Sequence, residues 1–100
     1  MPAQLNHLKP LEFEWNEVNK YKNWEKHQVD FRECEEIFSN KPLLISFDKK
    51  HSKVEKRFQA LGQTNNKRKL FISFTIKNNR IRIISARDQN RKERKEYEKK

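Results

Sequence analysis

The sequence predicts an α+β fold in which two N-terminal helices precede an antiparallel sheet of about four strands and a C-terminal helix. Helical caps and helical spacing occur between residues 16 and 38, whereas apolar and polar residues alternate over much of 43–87, as they do in strands. The pair Asn78-Asn79 separates the two clearest strands, and asparagine tolerates the left-handed conformation that a tight hairpin turn requires. We therefore expect the helices on one face or at one end of the sheet.

The first fifteen residues predict a leader and an edge strand. Residues 1–10 contain two prolines and show no periodicity, so we interpret them as a flexible leader before a single domain at 11–100. From Leu11 to Trp15, apolar residues alternate with acidic ones, which predicts a short edge strand.

Asn16 predicts the N-cap of a helix that ends near His27. Val18, Tyr21 and Trp24 form a narrow apolar stripe on this helix. We expect Tyr21 and Trp24 to pack in the core, and the alternative is that their rings are exposed and stack on a nucleic-acid base. Another face carries polar residues at helical spacing and is either solvated or part of a site. Its members are Lys20, Asn23 and His27.

The remaining elements follow from the same periodicities. They are a helix at 31–38, a strand at 43–47, a basic turn at 48–53, a strand at 54–62, a polar loop at 63–69, two hairpin strands at 70–76 and 80–87, and a charged helix at 89–100.

The net charge of +10 is unevenly distributed. Residues 12–38 hold eight acids and four bases, whereas residues 39–88 hold thirteen bases and three acids. The predicted sheet is therefore the cationic half of the chain. A positive field of this kind attracts anionic partners such as nucleic acid or an acidic protein segment.

Several classes of protein are disfavoured by the composition. The single cysteine, Cys34, predicts a small core residue and a reducing compartment, not a disulfide or a nucleophile. We found no apolar run of membrane-spanning length and no signal peptide, so we expect a cytoplasmic protein without a membrane partner. The chain has one glycine and no spacing typical of zinc or phosphate-loop sites, which predicts neither metal nor cofactor.

The segment Arg80 to Arg87 is a strand that displays arginines. Strict alternation places Arg80 and Arg82 on one face, together with Ile84 and Ala86. The predicted hairpin register pairs Ile76 with Ile81, Phe74 with Ile83, Ile72 with Ser85, Lys77 with Arg80, Thr75 with Arg82 and Phe71 with Ala86. Like charges across a hairpin are unfavourable, so Lys77 opposite Arg80 indicates a bound anion. The alternative is a solvated basic face.

One family shares a set of motifs with this chain. They are Phe13-Glu14-Trp15-Asn16, Asn23 with Lys26-His27, Phe31, His51-Ser52 with Glu55-Lys56-Arg57 and Gly62, Arg80 to Arg87, and Arg91-Lys92-Glu93-Arg94 with Tyr97. In order and spacing these motifs resemble the BrnT toxins over about residues 12–98. The family usually has glycine where this chain has Gln28, which predicts a different turn after the first helix.

The resemblance implies a RelE-like fold and a metal-independent endoribonuclease that inhibits translation. It also implies a type II toxin-antitoxin system, with a BrnA-like antitoxin as partner and DNA contacted only through that antitoxin. A homodimer or a heterotetramer with the antitoxin is compatible with this implication.

Cleavage of RNA by its own 2′-hydroxyl requires a proton acceptor, stabilisation of the phosphorane charge and a proton donor. Arg57, Arg80 and Arg82 are the candidates for a phosphate clamp, because guanidinium is always charged and its fork matches phosphate oxygens. Glu55 is a candidate base or a group that holds Arg57. The candidates for proton transfer are His27, Tyr97, Lys26 and His51, of which His27 and Tyr97 match the resemblance best. The candidate RNA-binding residues are Lys26, Lys67, Arg68, Lys77, Arg87 and Arg91.

Two other functions fit the same residues. One is a non-catalytic RNA-binding or ribosome-associated protein that uses the basic sheet. The other is a ParE-like toxin that acts on a protein target.

Overall fold

The chain forms three helices and a five-stranded mixed sheet within residues 12–100, the part that a computed structural model describes. The predicted leader at 1–10 and Leu11 lie outside the described residues. The elements in chain order are β1 (Phe13–Glu14), α1 (Glu17–His27), α2 (Phe31–Ile37), β2 (Leu44–Phe47), β3 (Phe58–Gln63), β4 (Lys69–Lys77), β5 (Arg80–Asp88) and α3 (Arg91–Glu98). The predicted α+β class is confirmed, and three helices form where they were predicted, although α3 spans Arg91–Glu98 and not 89–100.

The strand order is β1-β5-β4-β3-β2. Strands β2 to β5 pair in antiparallel fashion, as predicted. Strand β1 differs, because it runs parallel to β5 and pairs Phe13 with Ile81. The sheet is therefore mixed and has five strands, not about four antiparallel ones. Most of the chain separates β1 from β5, so the alternation within β1 does not reveal its partner.

Strand β3 begins at Phe58. The alternation of apolar and polar residues predicts a start at Val54, so this prediction is wrong. The Ser52 hydroxyl accepts a hydrogen bond from the Arg57 amide (3.0 Å) and donates one to the Asp48 carbonyl. The Asp48 amide donates to the Arg57 carbonyl at 2.8 Å. These bonds close residues 48–57 into a tied loop, here called the 48–57 loop, instead of a longer strand.

The turn between β4 and β5 has the conformation that the two asparagines predicted. Asn78 and Asn79 have positive φ values of 54° and 64°, as a primed hairpin turn requires. The register next to the turn is also as predicted, with Lys77 opposite Arg80 and Thr75 opposite Arg82.

A β-bulge then changes the register and corrects the prediction. Phe74 still faces Ile83, but Ser73 faces Ser85, so Ile84 is the extra residue on β5. A bulge reverses the alternation of side chains beyond it. Ala86 therefore enters the core opposite Ile72, and Arg87 lies opposite Phe71 on the other face.

The core lies between α2 and one face of the sheet. Phe38 packs edge-on against Phe13 and Phe74, at centroid distances of 5.6 and 5.3 Å. Cys34 is fully buried in the same cluster, and burial raises the pKa of its thiol to about 12, as expected for a core residue. A Cβ at Gly62 would lie 2.9 Å from the Ile37 Cβ, so α2 can approach β3 only over a glycine.

Helix α1 contacts the sheet with its polar face, contrary to the prediction. The predicted core stripe is exposed, with 73%, 66% and 54% of Val18, Tyr21 and Trp24 accessible to solvent. Instead, the Asn19 amide donates to the Ile83 carbonyl (3.0 Å), and Asn23 accepts a bond from the Ala86 amide (3.3 Å). The two asparagines thus supply hydrogen-bond partners to backbone groups of β5 that lie beyond the end of β1. Apolar side chains could not form these bonds, so the polar face of α1 meets the sheet.

The residue after α1 adopts the left-handed conformation despite being a glutamine. Gln28 has φ 51° and ψ 43°, and its amide bonds carbonyls of the last helical turn. The different turn predicted from the missing glycine is therefore wrong, because Gln28 accepts the strain. We expect Gln28→Gly to raise the free energy of unfolding by about 1 kcal/mol, since glycine adopts this conformation at little cost. Chemical denaturation of both proteins measures the change, and a destabilised variant would contradict it.

Candidate nucleic-acid interface

The face of the sheet opposite α2 is called the outer face, and the register arranges its residues in rows across the strands. Starting at the Asn78-Asn79 turn, the first row holds Lys77 and Arg80, and the second holds Thr75, Arg82 and, on β1, Glu14. The third row is polar across four strands and consists of Ser46, Gln59, Ser73 and Ser85. The fourth is Leu44, Leu61, Phe71 and Arg87. The outer face therefore changes from cationic to apolar with distance from the turn.

Helix α3 covers the apolar part of the outer face. Arg87 bonds Glu93 of α3 through both terminal nitrogens (2.9 and 3.0 Å), and its guanidinium lies over the Phe71 ring at 4.1 Å. Tyr97 is buried and donates its hydroxyl proton to the Pro42 carbonyl at 2.6 Å. The rows nearest the turn remain uncovered by α3, because its contacts lie with the fourth row and with the chain before β2.

Arg57 joins the cationic rows from outside the strand. Extending the Phe58–Phe74 pairing by one residue places Arg57 beside Thr75, in the row of Arg82. The Thr75 hydroxyl donates to the Lys56 carbonyl at 2.7 Å, which holds this segment against β4. Arg57, Arg80 and Arg82 thus share the turn end of the outer face.

These three guanidinium groups have few internal partners. Among residues 12–100, neither Arg57 nor Arg82 forms an ion pair, and the Arg57 Nε is buried without a hydrogen-bond partner in the same part of the chain. Arg80 approaches Glu12 at 3.7 Å, and both side chains are more than half exposed. Exposed pairs of this kind are weak. The cluster therefore retains most of its capacity to bind an anion.

Glu55 lies in the 48–57 loop and forms no ion pair with Arg57 within the described chain. The predicted strand at 54–62 would direct the side chains of Glu55 and Arg57 to the same face, but the strand begins only at Phe58. The structure therefore gives no holding contact from Glu55 to Arg57.

The same loop holds His51, a predicted candidate for proton transfer, in contact with Asp48, a partner that the sequence analysis missed. The His51 Nδ1 lies 3.0 Å from Asp48 Oδ2 and 3.2 Å from Oδ1. The Asp48 side chain is only 9% exposed, whereas that of His51 is 58% exposed. The two residues are three apart in a turn after a predicted strand, and this spacing is the signal that could have indicated the pair.

The environment of Asp48 keeps its carboxylate ionised. Burial alone would raise the pKa of Asp48, but hydrogen bonds from the His51 side chain and amide outweigh it and lower the pKa. A lowered pKa means that Asp48 is negative at neutral pH and can accept a hydrogen bond from the Nδ1–H group of His51.

Arg68, a predicted RNA-binding residue, is occupied by internal contacts. Its guanidinium bonds both Asp88 oxygens (2.7 and 3.2 Å) and Glu33 (3.1 Å). It also bonds the His27 and Gln28 carbonyls at 3.0 and 2.8 Å. Arg68 therefore connects α1, α2 and the end of β5, which leaves its fork unavailable for phosphate.

Other predicted site residues lie away from the arginine cluster. His27 and Lys26 end α1 beside Arg68, and Lys67 precedes β4 at the same end of the sheet. Asp88, which bonds Arg68, is six residues along β5 from Arg82, or roughly 20 Å at the usual rise per residue of a strand. Arg91 is exposed at the start of α3. The structure thus brings Lys77, but not these residues, to the arginine cluster.

Within residues 12–100, no three His, Cys, Asp or Glu side chains are grouped as metal ligands. None of the helices there has the length and apolar character needed to cross a bilayer.

Comparison with known proteins identifies one family. The family described as "Ribonuclease toxin, BrnT, of type II toxin-antitoxin system" matches residues 15–93. A search of curated proteins found no match.

Proposed function

The chain belongs to the BrnT family of ribonuclease toxins of type II toxin-antitoxin systems, and from this premise we propose that it cleaves RNA at the turn end of its outer face. The observation that carries the proposal is the arginine cluster of Arg57, Arg80 and Arg82, which lacks strong internal partners in the described chain. Lys77 adds a fourth positive charge to the same end of the sheet.

The proposed chemistry is transesterification without a metal ion. Guanidinium groups that hold a phosphodiester also stabilise the negative charge that develops on the phosphorane. This stabilisation lowers the barrier to attack by the adjacent 2′-hydroxyl. The polar row of Ser46, Gln59, Ser73 and Ser85 borders the cluster. Hydroxyl and amide groups of this kind suit the ribose and base edges of single-stranded RNA.

The biological setting is proposed from family membership. We propose a cytoplasmic toxin with a RelE-like fold that inhibits translation by RNA cleavage and is neutralised by a BrnA-like antitoxin. The cationic outer face suits an antitoxin segment of negative charge, because such a segment would occupy the surface that RNA requires.

Incubation of the purified chain with RNA in the presence of a chelator tests the proposal. We expect discrete fragments that carry 2′,3′-cyclic phosphate and 5′-hydroxyl ends, and we expect the cognate antitoxin to suppress them. Binding without cleavage would indicate the non-catalytic RNA-binding function instead. Toxicity without RNA cleavage would indicate a protein target.

A further inference from the structure

We propose that His51, oriented by Asp48, is the general base that removes the proton from the attacking 2′-hydroxyl. The inference deepens the proposed ribonuclease function and depends on it. Three observations support it: the contact between the side chains of His51 and Asp48, their contrasting exposure, and their position at the turn end of the sheet.

The pair lies on the outer face. Phe47 contacts Phe58 edge-on, and Phe58 stacks on the core residue Phe74, so the aromatic side chains at the ends of β2 and β3 point toward the core. Alternation then directs Asp48 to the outer face, opposite Arg57, whose carbonyl accepts a hydrogen bond from the Asp48 amide.

The pair is also close in the chain to the arginine cluster. The Asp48 amide bonds the Arg57 carbonyl at 2.8 Å, and Ser52 bridges the same two residues. The 48–57 loop is therefore a single bonded unit that presents His51 and Arg57 at one margin of the outer face.

The contact with Asp48 determines which nitrogen of His51 can act. A buried carboxylate accepts a proton from Nδ1–H, which leaves the lone pair of neutral imidazole on Nε2. The side chain of His51 is 58% exposed, so Nε2 is accessible to a substrate. Asp48 is then a positioning residue, because it sets the tautomer and stabilises the imidazolium that forms.

The other candidates for proton transfer are less suited. The hydroxyl of Tyr97 is bonded to the Pro42 carbonyl, and burial raises its pKa. His27 lies at the far end of β5, beside Arg68. Glu55 shares the loop with His51, but the structure assigns it no partner that would orient its carboxylate among the described residues.

His51 Nε2 takes the proton of the 2′-hydroxyl while the 2′-oxygen forms a bond to phosphorus and the bond from phosphorus to the 5′-oxygen breaks. The leaving 5′-oxygen takes a proton from solvent water, and the imidazolium later returns its proton to solvent. The products are a 2′,3′-cyclic phosphate and a 5′-hydroxyl.

Chemical rescue tests the inference in the full chain. We expect His51→Ala to lower kcat for cleavage of a defined RNA by about 10²-fold or more, with a smaller change in KM, because general-base catalysis typically contributes this much. Added imidazole should restore part of the lost rate at the same cleavage sites. Asp48→Asn should lower kcat without responding to imidazole, since its histidine is still present. Lys50→Ala, an exposed change in the same loop, should keep most of the activity.

The outcomes separate this inference from the proposed function. If the unaltered chain cleaves RNA and His51→Ala cleaves equally fast, His51 is not the base, although the ribonuclease function stands. A loss of activity that imidazole does not restore would also overturn the inference, because it would indicate a structural role in the loop. If the unaltered chain does not cleave RNA, the proposed function itself fails.

Discussion

Replacing Arg82 with alanine is expected to slow RNA cleavage by about 10²–10³-fold, the usual effect of removing one preorganised group that stabilises transition-state charge. Arg82 lies in the second row of the outer face, where Thr75 separates it from Arg57, and it is two residues along β5 from Arg80. It forms no ion pair within residues 12–100. Its loss should therefore change catalysis without removing a contact that the fold needs. Arg57→Ala and Arg80→Ala should act in the same direction, and growth inhibition should disappear with cleavage.

The measurement is single-turnover cleavage of one RNA, together with thermal unfolding of each variant. Lys92→Ala is the matched control, because it removes one positive charge from α3, away from the cluster. Arg82→Lys separates charge from geometry, and we expect it to be intermediate because lysine lacks the bidentate fork. Full toxicity in both Arg80→Ala and Arg82→Ala, with folding unchanged, would show that the outer face is not the site.

The largest expected loss of stability comes from Arg68, not from any residue of the arginine cluster. Arg68→Ala is expected to lower the free energy of unfolding by about 2–3 kcal/mol, because it removes charged hydrogen bonds and leaves the acceptors of α1 and α2 without a donor. Urea denaturation measures the change. Arg32→Ala is the matched control, since Arg32 pairs with Asp30 while 74% of its side chain is exposed, and about 0–1 kcal/mol is usual for such pairs.

The effect of Arg68→Ala should depend on pH. The hydrogen bond from Arg68 lowers the pKa of Asp88 below its ordinary value of 3.8, against the opposing effect of burial. A carboxyl group whose pKa is lower in the folded state than in the unfolded state stabilises the fold at pH values above its ordinary pKa. This stabilisation is lost as the pH falls through the folded-state pKa. The two proteins should therefore differ less in stability at strongly acidic pH than at neutral pH. A difference that is constant across this range would show that the ion pair contributes little.

Local signals predicted several elements well. Asn16 begins α1 by accepting a bond from the Asn19 amide, and the helix ends at His27 as expected. Asn78 and Asn79 adopt the predicted turn, which sets the register that places Arg80 and Arg82 on one face. Each of these features depends on residues within a few positions of one another, so the sequence alone is sufficient to predict it.

The composition of the outer face was predicted only in part. Arg80 and Arg82 followed from alternation, but the bulge at Ile84 moved Arg87 onto this face and Ala86 into the core. Alternation assumes a constant period of two and cannot locate an inserted residue. The contacts that flank the bulge come from α1, through Asn19 on Ile83 and Asn23 on Ala86.

The sequence by itself determined the class of the fold, the approximate limits of its first two helices, the hairpin and the cationic character of its sheet. The tertiary structure decided which cations remain available. It engages Arg68 with acids 20 and 35 residues away and Arg87 with Glu93 of the following helix, and it leaves Arg57 and Arg82 without ion partners among the described residues. It also decided that the polar face of α1 meets the sheet. The physical reason is the same in both cases: a charged or polar side chain is satisfied by whichever partner folding brings near, and that partner can be dozens of residues away in the chain.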